Sequence, residues 1–277
     1  MLESLRGGFI PVGGNEIIMC LIVFAYNCHP VYRLILGANR DEFRDRPTEP
    51  ARFWSDAPHL LAGRDNVAGG TWLGVTTDGK VAAITNYRDP RQHVSGCPSR
   101  GNLVAGFLQN PLMTAAEFQG VLTRDGERYN GFNLLYGSGH ELHYFTNRGG
   151  SSGPITPGIH ALSNHLLDTR WPKVAAARSR LETIVQQTEI DPEQMFAAMS
   201  DPAPFAAGQL PDTGVGPERE RILSPIFIDD ERYGTRSTTV LLIDRTERVT
   251  FVERSFDRSR MSSATERHTF LIRPPIR

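Results

Sequence analysis

The sequence predicts an α+β fold in a single domain, and two patterns lead to this prediction. Segments rich in β-branched and aromatic residues occur in pairs separated by short turn sequences towards both ends of the chain, as antiparallel hairpins do. Amphipathic helical segments are grouped in the middle, so strands and helices do not alternate as they do in parallel βαβ units. The 277 residues are 39% hydrophobic and 22% charged, a composition that can form one large core.

The predicted strands form four hairpins and one final strand. They cover residues 20–27 with 32–38, 72–77 with 81–87, 131–136 with 141–146, 236–244 with 249–256, and 268–272. The first pair is almost continuously apolar, which indicates that both faces of its sheet are covered. Asp78 and Gly79 provide a strong turn signal inside the second pair. The polar residues 39–45 are predicted to form a turn.

The predicted helices have apolar residues at helical spacing. They cover residues 101–109, 114–124, 171–187 and 191–199. In the third helix we expect Val174 and Leu181 to face the core and Lys173 to lie on the opposite, polar side. Asp191 caps the fourth helix. Residues 201–220 contain four prolines and three glycines and are predicted to form an exposed loop of the kind that often covers a site.

The charge balance and the cysteine count restrict the class of protein. Thirty Lys and Arg residues stand against 31 Asp and Glu residues, so a nucleic-acid-binding surface is not expected. The longest apolar run, residues 17–26, is about half of what a membrane-spanning helix needs. Three cysteines in a chain of this length do not form a disulfide framework, which favours a reducing compartment and a cytoplasmic location.

Residues 1–18 differ from the rest of the chain because they lack strand and helix periodicity. Gly13-Gly14-Asn15-Glu16 would be encoded by a purine-rich string just before the codon for Met19, which is similar to a bacterial ribosome-binding site. We therefore expect Met19 to be the first residue, and residues 1–18 to be a mis-assigned extension. The alternatives are a disordered tail or a propeptide that is cut off. Removal of Met19 would leave Cys20 with a free α-amino group.

Cys20 is the first candidate for chemistry. A thiol and a free α-amine on the same residue make up a nucleophile and its base, since an α-amine titrates near ~8. The alternative is that Cys20 is a small core residue, as most free cysteines are. Further along the chain, Arg40 is suited to hold a thiolate and Asp41 to orient an ammonium, while Asn39 and Glu42 fix the loop. The same four residues could equally be a solvated turn.

A metal site is less well supported. Asp41, Glu42 and Asp45 are carboxylates close together in the sequence, but they are not accompanied by a histidine at helical spacing or by an EF-hand-like pattern. We therefore expect no metal and no required cofactor.

Motifs in the same order along residues 19–272 resemble those of the NRDE family, also called the transport and Golgi organisation protein 2 family. They are Met19-Cys20-Leu21-Ile22-Val23-Phe24, Asn39-Arg40-Asp41-Glu42-Phe43, Gly69-Gly70-Thr71-Trp72-Leu73-Gly74, Ala83-Ile84-Thr85-Asn86-Tyr87, Tyr129-Asn130-Gly131-Phe132-Asn133-Leu134, Leu162-Ser163-Asn164, Tyr233-Gly234-Thr235-Arg236 and Phe251-Val252-Glu253-Arg254-Ser255-Phe256. The resemblance implies a four-layer αββα sandwich of the N-terminal-nucleophile hydrolase type. Cysteine enzymes of that superfamily cleave non-peptide amides.

The resemblance also implies roles for individual residues. Cys20 would be nucleophile and, through its amine, base; Asn86 would donate to the oxyanion; Asn164 would hold the α-amine; and Arg236 would complete a charge network around the thiolate. Roles for Arg40 and Asp41 are implied as well. One departure concerns Arg40 and Asp41. In this chain the arginine directly precedes the aspartate, whereas in the related acylases it lies three residues before it. The alternative is structural: Asn86 and Asn164 close turns, and Arg236 pairs with Asp229 or Asp230.

Three functions follow from these observations. The first is a cytosolic N-terminal-cysteine amidohydrolase acting on a small or lipid-like amide. The second is a non-catalytic carrier for a hydrophobic small molecule, either haem or an acyl lipid. The sequence has no Cys-x-x-Cys-His motif for covalent haem, which leaves a histidine such as His29 or His165 as ligand. The third is a protein-interaction module using residues 201–220.

Overall fold

Antiparallel strands make up the centre of the molecule. The computed structural model describes residues 19–257 and 262–273. In chain order the strands in these ranges are β1 (Met19–Tyr26), β2 (Tyr32–Phe43), β3 (Thr48–Trp54), β4 (Ala57–Asp65), β5 (Leu73–Thr76), β6 (Lys80–Asn86), β7 (Phe132–Ser138), β8 (Leu142–Thr146), β9 (Gly153–Pro154), β10 (Gly158–Leu162), β11 (Tyr233–Asp244), β12 (Arg248–Phe256) and β13 (Ser262–Leu271). They form a six-stranded sheet in the order β10-β1-β2-β11-β12-β13 and a seven-stranded sheet that runs from β3 to β9 in sequence order.

Helices cover the outer face of each sheet. They are α1 (Gly101–Gln109), α2 (Ala115–Asp125), α3 (Pro172–Ile184), α4 (Pro192–Ala198) and α5 (Pro217–Ile222). Helices α3 and α4 share an apolar cluster with the six-stranded sheet, and α1 and α2 share another with the seven-stranded sheet. A third cluster fills the space between the two sheets. The layer order is therefore αββα, and the predicted four-layer α+β sandwich is confirmed.

The alternation of side chains along β1 explains why this strand is apolar throughout. Ile22 and Phe24 point into the core between the sheets, whereas Leu21 and Val23 point into the core beneath α3. Each of these side chains is at most 2% exposed. Covering both faces in this way is what the continuous hydrophobicity of the first hairpin predicted. The same alternation decides which side chains at the end of β1 and β2 can meet.

The predicted turn at residues 39–45 is wrong, because β2 continues to Phe43. On one side Asp41 is paired with Met19, and on the other Phe43 is paired with Tyr233. Polar side chains can continue a strand into the protein interior when protein groups replace the water around them. Here they are buried and held by hydrogen bonds or ion pairs. Strands β3, β4, β9 and β10 were not predicted.

Two further expectations are corrected by the structure. Lys173 was expected on the polar side of its helix but is buried in the first turn of α3. The segment 201–220 is not a simple loop, because it includes most of α5. No helix in the described ranges is long and apolar enough to cross a membrane. Residues 1–18, where the start of translation was inferred, lie outside the described residues.

Candidate active site

A cavity of about 410 Å³ lies where the start of β1 and the end of β2 meet the seven-stranded sheet. Its walls come from both sheets and from the segment 93–101, which leads into α1. The residues that line it include Cys20, Arg40, Glu42, Trp72, Ile84 and Asn86. Three of the predicted site residues, Cys20, Arg40 and Asn86, are therefore brought together at one cavity.

Cys20 forms part of the cavity floor and is 5% exposed. Its backbone carbonyl accepts a hydrogen bond of 2.9 Å from the Ser163 hydroxyl, which fixes the start of β1 against the end of β10. Burial, together with the nearby charge of Asp41, raises the pKa of the Cys20 thiol to about 12. As part of an uncut chain, this thiol is therefore protonated at neutral pH.

Arg40 is the cross-strand neighbour of Cys20 and lines the same cavity. Its guanidinium lies over the Trp72 ring at 4.3 Å, and its Nη2 is 3.6 Å from Oε2 of Glu42. The Arg40 side chain is 4% exposed, and its Nη1 has no hydrogen-bond partner among the described residues. A buried donor of this kind is costly unless a ligand or a developing negative charge uses it.

The carboxylates of the cavity are held by a second arginine. Nε of Arg46 is 3.5 Å from Glu42, and its Nη2 is 2.8 Å from Asp65. Glu42 also accepts a 2.8 Å hydrogen bond from the backbone N–H of Phe43. This network keeps the positive charge of Arg40 next to the thiol without leaving the carboxylates unpaired.

Asn86 and Asn164 are joined by a hydrogen bond, but only Asn86 lines the cavity. Asn86 ends β6 and lines the cavity. Asn164 is fully buried behind it and does not line the cavity, and its Nδ2 donates a 3.1 Å hydrogen bond to the Asn86 carbonyl. The Ser163 hydroxyl lies 2.9 Å from the carbonyl of Cys20 and 3.0 Å from Oδ1 of Asn164, so its one proton is shared between these two acceptors. The two asparagines and Cys20 thus belong to one hydrogen-bonded unit.

Asp41 lies on the other face of β2, towards the helices. Its Oδ1 accepts a 2.6 Å hydrogen bond from Thr235, while its Oδ2 has no partner within the described ranges. Burial raises the pKa of the Asp41 carboxyl to about 7, an effect that the charge of Lys173 opposes. Burial in turn lowers the pKa of Lys173 to about 8. Asp41 is the cross-strand partner of Met19, the residue directly before Cys20.

Asn39 and Arg236, like Asp41 and Asn164, do not line the cavity. Asn39 donates to the carbonyls of Met199 and Ile226 at 2.9 and 2.8 Å and accepts from Thr238. Arg236 donates to the carbonyls of Phe43, at the end of β2, and of Arg46, just after it, at 2.8 and 3.1 Å. Both side chains therefore hold backbone segments in place.

The sequence reasoning did not identify the segment 93–101 or Lys173. The segment reaches the cavity because α1 begins against the Gly69-Gly70 pair: a Cβ on Gly70 would lie 2.6 Å from the carbonyl carbon of Gly101. A glycine pair directly before Thr71 and Trp72 is the signal that could have indicated this close approach. The loop 201–220 was expected to cover a site, but none of its residues lines this cavity.

The residues considered for a metal or for haem are placed as follows. Asp41 and Glu42 point to opposite faces of β2, and no metal-binding group of histidines, cysteines and carboxylates occurs in residues 19–257 and 262–273. His29 has both ring nitrogens in hydrogen bonds with the backbone. His165 bonds to Tyr87 and Thr169. Neither histidine lines the cavity, whereas His93 does.

Solved structures similar to this chain include an N-acylethanolamine-hydrolyzing acid amidase ortholog from Caenorhabditis elegans. The two are 12% identical, with a TM-score of 0.47, over 80% of this chain and 92% of that one. A mutant of the conjugated bile acid hydrolase from Clostridium perfringens is 9% identical, with a TM-score of 0.45, over 92% of this chain and 96% of that one.

Similarity in sequence is much higher to a group of eukaryotic proteins. The Transport and Golgi organization 2 homolog of Mus musculus is 37% identical to this chain, over 91% of this chain and 99% of the mouse protein. Residues 19–258 match the family described as Transport and Golgi organisation 2. The matched residues include all strands of both sheets from β1 to β12. The chain belongs to the Transport and Golgi organisation 2 family.

Proposed function

We propose that this protein is a cytosolic amidohydrolase with an amino-terminal cysteine as nucleophile, acting on a small or lipid-like non-peptide amide. The observation that carries the proposal is the meeting of three groups at one cavity: the Cys20 thiol, the Arg40 guanidinium with its unused Nη1, and Asn86. A nucleophile, a positive charge and an amide donor are the groups that acyl transfer requires.

A base is needed because the thiol does not ionise by itself. With a pKa of about 12 in the uncut chain, roughly one Cys20 in 10⁵ is a thiolate at pH 7. Removal of the residues before Cys20 would give it an α-amine with an ordinary pKa near ~8, close enough to take the thiol proton. The buried Oδ2 of Asp41, which no described group satisfies, would accept a hydrogen bond from the resulting ammonium.

The proposed reaction has two stages. The Cys20 thiolate attacks the amide carbon, and the side-chain amide of Asn86 donates to the oxygen that becomes negative. The ammonium then returns its proton to the leaving nitrogen as the C–N bond breaks, which leaves a thioester on Cys20. In the second stage the amine removes a proton from water, the hydroxide attacks the thioester, and the carboxylic acid leaves as the thiol is restored.

The cavity supports a substrate of small-molecule size. Its volume of about 410 Å³ falls within the range of ligand pockets, roughly 300–1,000 Å³. Trp72, Ile84 and Val94 contribute apolar surface to its lining, and Arg40, Glu42 and Asn86 contribute polar groups. This combination suits an acyl chain that ends in an amide.

The test compares two forms of the protein on a series of N-acyl amides of increasing chain length. One form begins at Cys20, here called the Cys20-first form, and the other is the full 277-residue chain. We expect amine release from the Cys20-first form alone, and its loss in Cys20→Ala. Cys97→Ala is the matched control, because Cys97 is a second thiol at the same cavity and should be dispensable.

Two outcomes would contradict the proposal. The first is equal turnover by the full chain, which would mean that no free amine is needed. The second is tight binding of the amides by the Cys20-first form without any release of amine, which is what the carrier hypothesis predicts.

A further inference from the structure

The two sheets are tied together at the site by bonds between the end of β6 and the end of β10. The hydroxyl of Thr85 donates to the Ser163 carbonyl at 2.6 Å, and the N–H of Arg88 donates to the Asn164 carbonyl at 2.8 Å. Between these bonds lies the one from Asn164 to Asn86. The position of Asn86 over the cavity therefore depends on how firmly these two strand ends are held.

The residues that directly follow the two asparagines add a bond of their own. The hydroxyl oxygen of Tyr87 is 2.9 Å from Nε2 of His165. On the other side of the ring, Nδ1 of His165 is 2.9 Å from the hydroxyl of Thr169. Tyr87 and His165 are also in ring contact, with centroids 4.9 Å apart. The contact thus joins the first residue after Asn86 to the first residue after Asn164.

The directions of these bonds can be assigned. Thr169 donates its hydroxyl proton to the Leu166 carbonyl at 2.7 Å, so its oxygen accepts from Nδ1–H of His165. Nε2 is then the unprotonated nitrogen and accepts the proton of the Tyr87 hydroxyl. Partial burial and the nearby charge of Arg88 lower the pKa of His165, which keeps the ring neutral as this arrangement requires. Each of the three donors, Tyr87, His165 and Thr169, therefore has one acceptor.

We propose that Tyr87 and His165 are positioning residues that hold Asn86 and Asn164 in register across the two sheets. Neither residue lines the cavity, so their effect passes through the asparagines beside them. The inference rests on the proposed function in one respect, namely that Asn86 is the group that stabilises the transition state. Loss of the bond is expected to reduce the rate of the chemical step without weakening substrate binding.

Matched variants separate the bond from the packing around it. Tyr87→Phe keeps the ring and removes the hydroxyl, and His165→Leu removes the acceptor. His165→Gln offers an acceptor oxygen close to where Nε2 lies. In the Cys20-first form we expect kcat to fall about tenfold in Tyr87→Phe and His165→Leu, with KM within about twofold. In His165→Gln we expect kcat within about threefold of the unsubstituted protein.

Tyr26→Phe is the control, because Tyr26 also donates its hydroxyl to one acceptor, the His140 carbonyl at 2.9 Å. It lies at the other end of β1, roughly 20 Å from Cys20 at 3.3 Å per residue. A purely structural role for Tyr87 would make the two Phe variants equal in kcat. That equality, or a failure of His165→Gln to rescue, would overturn the inference.

A second measurement does not depend on turnover. In the Cys20→Ala background, NMR signals of the Asn86 and Asn164 side-chain amides should broaden or move in Tyr87→Phe and stay unchanged in Tyr26→Phe. Unchanged asparagine signals in Tyr87→Phe would refute the positioning role. Failure of the proposed function would instead appear as a lack of turnover in the unsubstituted Cys20-first form, so the two failures can be told apart.

Discussion

Strand β2 has one face towards the cavity and one towards the helices, and the two faces use polar residues differently. On the cavity face, Arg40 and Glu42 lie beside Cys20, and Arg40 keeps a donor unused. On the helix face, Asn39 has its three hydrogen bonds satisfied by neighbouring segments. Asp41 is intermediate, since one of its oxygens is bonded and the other is not.

The difference shows that four consecutive polar residues are not one functional group. Side chains of a strand alternate between its faces, so a run such as residues 39–42 is divided into two pairs that meet different neighbours. The unsatisfied atoms mark where chemistry can take place, and the satisfied ones mark where the fold is held. Changes at the cavity should therefore affect rate, and changes on the helix face should affect stability.

The largest effect is expected at the cavity, for Asn86→Ala in the Cys20-first form. Loss of one oxyanion donor should lower kcat by about a hundredfold or more, with little change in KM. Steady-state kinetics on the amide that is cleaved best provides the measurement. Asn86→Asp serves as a control that keeps the size of the side chain and removes the donor, and it should be equally slow. A kcat within about threefold of normal in Asn86→Ala would remove this residue from the site.

On the helix face, Asn39→Ala should mainly reduce stability. It leaves the carbonyls of Met199 and Ile226 buried without their donor, and we expect the free energy of unfolding to fall by about 2–4 kcal/mol. Urea unfolding measures this loss, and kcat of the folded variant should stay within about threefold. Thr238→Val removes only the hydroxyl that donates to Asn39 and should cost about 1 kcal/mol. A large loss of kcat at full stability would contradict the division between the two faces.

Asp41 has one bonded and one unbonded carboxylate oxygen, and its titration should make the stability of the protein depend on pH. In the uncut chain its folded-state pKa is raised from 3.8 to about 7, so the folded state keeps a proton that the unfolded state loses. The contribution of Asp41 to stability is present below pH 3.8 and is lost as the pH rises to about 7.

The variant Asp41→Asn does not titrate at this position, so its Tm relative to the unsubstituted full chain should increase between pH 5 and pH 7. Calorimetry at several pH values would detect a change of about a few degrees. The same variant should also lower kcat in the Cys20-first form, by less than Asn86→Ala does, if Asp41 orients the amine. A Tm difference that is independent of pH would mean that the carboxyl is ionised throughout this range.

The smallest effect is expected for Arg236, which the family resemblance assigned to the charge network. Its guanidinium holds the backbone carbonyls of Phe43 and Arg46 at the end of β2, and Arg236 does not line the cavity. We expect Arg236→Met to lower kcat/KM by less than about fivefold and stability by about 1 kcal/mol. A loss of kcat as large as that of Asn86→Ala would restore Arg236 to the catalytic network.

Much of the fold could be predicted because the strands beside the site carry strong local signals. The hairpin of β1 and β2 has continuous apolar runs, and the turn at Asp78-Gly79 identifies the next one. By contrast, β3 and β4 contain Pro50 and Pro58, which weaken a strand pattern; Pro50 is tolerated in the edge strand β3, and Pro58 lies at the beginning of β4. The end of β2 was missed because its polar residues are satisfied by partners almost 200 positions away, such as Thr235 and Thr238.

The candidate site could be predicted only in part, for a related reason. Cys20, Arg40 and Asn86 were proposed as site residues, and the cavity brings them together. The burial of Lys173 could not be foreseen from a helical pattern, because it depends on charges contributed by distant segments, Asp41 and Glu220. The approach of residues 93–101 is likewise a tertiary contact with no periodic signal.

The central claim is that a free α-amine on Cys20 ionises its own thiol, and the rate of alkylation by iodoacetamide tests it most directly. Peptide mass spectrometry would follow Cys20 and Cys97 separately in the Cys20-first form and in the full chain at pH 7.5. The account predicts that Cys20 reacts at least about a hundredfold faster in the Cys20-first form, with Cys97 equally reactive in both. Equal rates at Cys20 in the two forms would contradict it.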